Sequence, residues 1–330
     1  MIEPPDNACR FTGRPGHVES YFVRANDPRR PRALWLKQTI LSPLEGPAVA
    51  ETWFIWFDGE QNRTIAQRVT QPWADARFDE PRIVTQAMTL DVSASGGAQG
   101  ALEAPEGPVR FDLRWAPSAS PIGRPLSIFP YRFLRVGPFP KSKLLTPLPA
   151  IDFSGRLELP GETVELERWP GMQGHNWGKE HSFEYAWGQC LFPEDDAMVE
   201  GFTGRVRVAG RTTPRLSGLV VRRGGREYRF DRLFDPWRQE ASLEQDRWHL
   251  RLRSGDGDVE LRMDASKRPV ACLGYYNPDG ALSYCLNSKL AEVELTVRPS
   301  DGAAFTCRSA HGGALEFLRR EPDPRFTRVV

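Results

Sequence analysis

Along most of this chain apolar and polar residues alternate over short stretches, and glycine or proline closes each stretch; Gly and Pro number 29 each. That period-two pattern, rich in Val, Leu, Phe, Tyr and Trp, predicts many short β-strands, and helical spacing is almost absent. The runs "ESYFVRAN" and "ALWLKQTIL" flank the turn-forming "DPRRPR", and "ETWFIWFDG" follows a Pro/Gly loop. Together they predict an antiparallel meander. "GYYNPDGALSYCLNSKL" reads as a hairpin about a Pro-Asp-Gly turn, with Tyr275 either packed on the strand or lining a cavity. One segment breaks the rhythm: Pro121 to Gly155 carries seven prolines and reads as a linker, a crossover or the wall of a cavity.

At 330 residues the chain is long for one small domain, since a domain averages roughly 150 residues. The expected division is residues 1–166 and 167–330. No exact internal repeat is visible, but each half holds enough strands to close a barrel of roughly eight. The expected fold is therefore all-β, two antiparallel barrel-like halves in one chain, with a single large β-sandwich as the alternative.

Charge removes some partners. Lys plus Arg is 44 against 43 for Asp plus Glu, a net charge of +1, so nothing would condense on a phosphate backbone and nucleic acid is not expected as a partner. The apolar fraction is 40% with 18 Phe and 10 Trp, enough for a sizeable core or an apolar cavity that takes a hydrophobic small molecule. The five cysteines are scattered and form no CxxC pair, which argues against a disulfide framework and a structural zinc site. A reducing, cytoplasmic setting fits best. The amino terminus lacks an apolar signal core, and no window is apolar enough for a spanning helix, while contact with a membrane surface and the oligomeric state stay open.

Candidate chemistry concentrates in "MQGHNWGKEHSFEYAWGQC", Met172 to Cys190. If Phe183 to Phe192 is a strand, Phe183, Tyr185, Trp187, Gln189 and Leu191 share one face and Glu184, Ala186, Gly188, Cys190 and Phe192 the other. The first face is aromatic with one amide. The second is mostly small and leaves room for a ligand or a close neighbour. Gly174 and Gly178 mark sharp turns in this reading, which would bring His175, Asn176, Trp177 and His181 to the mouth of a barrel. Two histidines six apart with no third ligand nearby are poor metal spacing, so no metal is expected. Cys190 reads as a buried structural thiol. No phosphate loop, nucleotide fingerprint or catalytic triad is present, and no cofactor is expected.

Read as N-W-G-x-x-x-x-x-x-Y-x-W-x-Q-C, the stretch resembles the tocopherol cyclase signature: Asn176, Trp177, Gly178, Trp187, Gln189 and Cys190 match in register. Tyr185 stands for the first Trp of the pair, His181 and Ser182 for Phe-Pro, and Leu191 for the final Asn. Near the start, "HVESYFVRAN" is similar, through Glu19, Tyr21 and Phe22, to a segment that tocopherol cyclases share with carotenoid 1,2-hydratases (hydroxyneurosporene synthases) and AttH-like proteins. The resemblance implies two calycin-like, lipocalin-related domains with an apolar ligand in or between them. It further implies protonation of an isoprenoid double bond leading to hydration or ring closure, pericyclic cyclisation of a polyketide-like substrate, or no reaction.

Alkene protonation needs an acid, π-faces for the cation and controlled water. Burial raises a carboxyl pKa and would hold Glu19, Glu184 or Glu180 protonated, while His175 or His181 would serve near neutral pH. His175 and Glu19 lead as proton-handling residues, with His181 and Glu184 behind them. Tyr21, Asn176, Trp177, Tyr185, Trp187, Gln189 and Tyr275 are the candidate ligand contacts. Three readings follow: an acid-catalysed hydratase or cyclase of a hydrophobic substrate, a carrier of an apolar molecule, and a motif that only plugs a barrel.

Overall fold

The computed structural model describes residues 6–205, 207–208, 211–232, 239–244 and 246–330. The opening meander forms as expected from β1 (His17–Asn26), β2 (Arg32–Ser42), β3 (Val49–Asp58) and β4 (Arg63–Pro72). After it the chain crosses to a far edge and returns through β5 (Arg77–Asp79), β6 (Arg82–Val84), β7 (Met88–Asp91), β8 (Gly97–Ala104), β9 (Gly107–Pro117) and β10 (Ser142–Leu159). The last strand, β11 (Glu162–Gly178), pairs with β1 and completes an antiparallel sheet of eleven strands.

The chain then begins again. β12 (Glu184–Phe192) and β13 (Ala197–Arg205) precede a two-stranded ribbon, β14 (Arg207–Val208) and β15 (Arg211–Thr212). β16 (Leu216–Arg223), β17 (Arg226–Phe230), β18 (Gln239–Leu243), β19 (Arg247–Ser254), β20 (Gly257–Asp264), β21 (Ala271–Tyr276), β22 (Leu282–Pro299) and β23 (Phe305–Arg319) follow. In this second sheet four strands again run outward from the first, and β23 closes back on β12 as β11 does on β1. The penultimate strands β10 and β22 are both 18 residues long, and each is bent by register shifts, the means by which a long strand curls a sheet. So a repeat that the sequence does not display exists in the winding.

Each sheet curls as a half-barrel around its own apolar core and neither closes on itself among the described residues. The two barrel-like halves expected are present as two open curled sheets, a calycin-like pair. A third apolar layer, with Phe22, Trp35, Trp53, Trp187, Tyr275 and Leu318 among its members, lies between the sheets. Buried polar ties cross it. Arg24 donates to the Gln189 side chain and to the Gln189 and Gly312 carbonyls, and Asn26 donates to the Lys289 carbonyl at 2.6 Å. No helix among the described residues is long and apolar enough to cross a membrane.

Candidate functional site between the two sheets

Strand alternation decides what faces this layer. On β1, Tyr21, Val23 and Ala25 enter the first sheet's core, and Phe22 points to the second sheet. On β2, Leu34 and Leu36 go inward and Ala33 and Trp35 outward, so Lys37, two further on, also faces the partner sheet. On β12, Ala186, Cys190 and Phe192 fill the second core, while Tyr185 and Trp187 pack in the layer between the sheets. These outward faces enclose a cavity of about 150 Å³, roofed by Ile128, Phe129, Leu134 and Phe139 from the proline-rich segment, which carries the short helix α1 (Arg132–Val136). Of the three readings of that segment, cavity wall is the one realised.

Beside the cavity lies a second space of about 20 Å³ whose wall includes Thr39, Glu51 and Trp53. Lys37, His181 and Tyr275 border both. The Lys37 ammonium sits 4.0 Å from the centroid of Tyr275 and 5.6 Å from those of Trp35 and Trp53. Burial lowers it to about 8, because the charged form loses water that the rings only partly replace. Burial, with Lys37 and Arg320 nearby, lowers His181 to about 3, so its imidazole is neutral. Tyr185 and Tyr275 are pushed well up by burial and stay phenols. Glu316 on the cavity wall accepts from Lys289 at 2.6 Å and from Asn287 at 3.1 Å.

The sequence candidates separate into two groups. Asn176, Trp177, His181, Glu184, Tyr185, Trp187 and Tyr275 line the cavity. Asn176 accepts from Ser20, and Glu184 is held by Arg215 at 3.0 Å. His175 and Tyr21 do not line the cavity; they meet, buried within the first sheet, at Glu19, which itself borders the smaller space. There Glu19 accepts from His17 at 2.8 Å, His175 at 2.9 Å, the Tyr21 hydroxyl at 2.8 Å and the Arg10 amide at 2.9 Å. The other His175 nitrogen faces the Asp6 carbonyl at 2.7 Å, so both ring nitrogens meet oxygen acceptors.

Three expectations need correction. Burial does push the Glu19 carboxyl up, but the hydrogen bonds from His17, His175 and Arg10 outweigh it and pull the group down to about 2; Glu19 is a carboxylate. Gly174 and Gly178 are not turns, since both lie in β11. A methyl group on Gly174 would come within 2.3 Å of the Phe22 ring, and one on Gly178 within 1.9 Å of the Lys141 carbonyl, so close approach demands glycine there. Gln189 does not touch the cavity: one end of its amide accepts from Arg24 and the other donates to the Pro149 carbonyl at 3.1 Å. Of the two uses expected for the small face of β12, the close neighbour is the one realised, since Gly188 packs under Met263 and Trp248.

Sequence reasoning passed over Lys37, Glu316 and Glu200. Glu200 is fully buried; one carboxyl oxygen accepts from Thr146 at 2.8 Å and from the Trp187 indole at 3.2 Å, and the other has no partner. Burial raises it to about 7 against the opposing hydrogen bonds of Thr146 and Trp187. The available signal was phase. Lys37 follows Trp35 by two, Glu200 lies between Met198 and Phe202 at the same parity, and Glu316 falls between Ala314 and Leu318. A charge in phase with outward-facing apolar residues marks a polar group in a buried layer.

Fold and site together define a double calycin-like β-protein with an aromatic cavity between its halves. No family model matches the chain. Two proteins from two strains of Mycobacterium tuberculosis, both described as uncharacterized, are 22% identical to it over 290 residues, covering 87% of this chain and 83% of theirs. An AttH-like protein from Nitrosomonas europaea has a similar crystal structure, with TM-score 0.58 and 13% identity over 97% of both chains. Kievitone hydratase from Nectria haematococca is similar with TM-score 0.54 and 10% identity, over 92% of this chain and 89% of that one.

Proposed function

We propose that this chain adds water to, or closes a ring in, a hydrophobic unsaturated substrate held between the two sheets. The carrying observation is that an apolar cavity of about 150 Å³ and a polar chamber of about 20 Å³ meet at Lys37, His181 and Tyr275. A space of roughly 10 to 15 Å³ holds one water, so the chamber suits a single water and no organic substrate. Hydration needs that pairing: one carbon of the double bond takes a proton, the other bonds to the water oxygen, and the water then gives up a proton. Neutral His181 is suited to accept that proton and Lys37 to supply the first, with proton exchange through solvent restoring both. The faces of Trp177, Trp187 and Tyr185 would shield developing positive charge.

In this reading Glu19 and His175 fix β1 against β11 and so hold the chamber wall in position. The use of the same fold by a protein named a hydratase supports the proposal, as does the resemblance of the Asn176–Cys190 stretch to enzymes of isoprenoid substrates. The five free cysteines suit a reducing, cytoplasmic setting.

The test is incubation of the protein with an apolar metabolite extract in oxygen-18 water, followed by mass spectrometry. Hydration predicts a product carrying the label, and ring closure an unlabelled isomer. Stoichiometric recovery of an unaltered compound would instead make the protein a carrier.

A further inference from the structure

We infer that the molecule bound in this cavity carries one anionic oxygen, a carboxylate or an enolate, and that Lys37 is the group that binds it. The inference rests on the cavity being the binding site. Lys37 stands in register between Phe22 on β1 and Trp53 on β3, so strand pairing fixes its backbone, and the residue lines the cavity. Other buried cations near the layer have acceptors: Arg24 has Gln189 and the Gly312 carbonyl, Lys289 has Glu316, and Lys143 has the Pro140 carbonyl. Lys37 makes no hydrogen bond or ion pair among the described residues. Its ammonium lies against aromatic faces, and Glu316 and Glu51 act on it only through space.

The carboxylates within reach are already engaged. Glu51 accepts from Thr39 at 2.8 Å and from Trp53 at 3.1 Å, with Arg68 at 3.8 Å, and Glu316 belongs to Lys289. Three N–H donors on a desolvated cation are therefore left for a ligand. One cation at an apolar wall suits a single charged oxygen pair better than a phosphate, which needs several donors.

The test compares 2-naphthoate with its neutral near-isostere 2-naphthamide by calorimetry at pH 7, in the wild type and in Lys37→Met. The wild type is expected to bind the carboxylate about tenfold more tightly than the amide. Lys37→Met should lose that preference, binding the two probes about equally. Equal affinities in the wild type would overturn the inference while leaving the cavity intact as a site. A preference that survives Lys37→Met would move the anion contact to Lys143 or Arg205 and overturn it too. If neither probe binds, the cavity reading itself fails, and the inference with it.

A second measurement needs no variant. The groups facing Lys37 are Glu51 from β3, Tyr275 from β21, Cys285 and Lys289 from β22, Glu316 from β23, and His181 from the β11–β12 connection. With Lys37 at about 8, carboxylate affinity should fall as pH rises through that value, and amide affinity should stay flat. A flat carboxylate profile between pH 6.5 and 9.5 would overturn the assignment.

Discussion

The His175 imidazole meets the Glu19 carboxylate at 2.9 Å on the diagonal between two cross-strand pairs, Tyr21 with His175 and Glu19 with Trp177. The contact closes the β1–β11 seam, where the first and last strands of the sheet meet. Because Glu19 lies at about 2 when folded against 4.5 as a free group, the folded state prefers it ionised. That stability is complete above pH 4.5 and is lost as pH falls toward 2, and it is worth on the order of 3 kcal/mol. Glu19→Gln should therefore lower urea stability by about that amount at pH 7 and remove most of the acid-limb slope. An unchanged acid limb would show that the seam does not depend on this charge.

Glu200 carries the opposite sign. It is raised from 4.5 to about 7, so the folded state binds its proton more tightly than the unfolded chain does. Its contribution is full below pH 4.5 and is lost as pH rises toward 7, on the order of 3 kcal/mol across the window. Glu200→Gln keeps an acceptor for Thr146 and Trp187 and cannot ionise. Denaturation midpoints of this variant should exceed the wild type at pH 7 and converge with it near pH 4.5. A variant less stable than the wild type at pH 7 would rule out a buried neutral carboxyl.

The two carboxyls mark where the sequence was legible. Alternation identified the strands and split β12 into its two faces, because side chains two apart must share a side of a sheet. It brought out Tyr185 and Trp187 together for the same reason. What it did not supply was which face of each strand met the other sheet, and so that Glu19 faces inward on β1 and Lys37 outward on β2. Inner or outer is set by long-range pairing of β1 with β11 and of β12 with β23. The duplicated winding was hidden for a related reason, since strand order depends on which edges meet and needs no repeated residues.

The glycines show a second ambiguity, because glycine serves both turns and close contacts. Gly174 and Gly188 lie in strands, but their neighbours differ in freedom. Gly174→Ala drives a methyl against the Phe22 ring at 2.3 Å, and Phe22 is itself cavity wall. The loss should be about 2 kcal/mol, with weakened ligand binding. Gly188→Ala meets the Met263 sulfur at 2.4 Å, on a flexible side chain that can turn aside, and the fixed Trp248 ring at 3.0 Å, so its loss should be smaller, about 1 kcal/mol. Thermal melts of the pair check the order. Equal losses would mean that the Phe22 ring is free to move.

Gln189 separates a structural role from a ligand role. It lies in the signature stretch, yet its amide is consumed by Arg24 on one side and the Pro149 carbonyl on the other. Arg24 is wholly buried and burial lowers it to about 10, so the guanidinium remains charged and needs its acceptors. Gln189→Leu removes one of them and should cost about 2 to 4 kcal/mol, the usual penalty for stranding a buried charge. Affinity for 2-naphthamide should not change, since Gln189 is absent from the cavity wall. The double variant Arg24→Met, Gln189→Leu removes charge and acceptor together and should recover much of the loss, which equilibrium denaturation of the two proteins would measure. If the single variant keeps its stability but loses amide binding, Gln189 contacts the ligand after all.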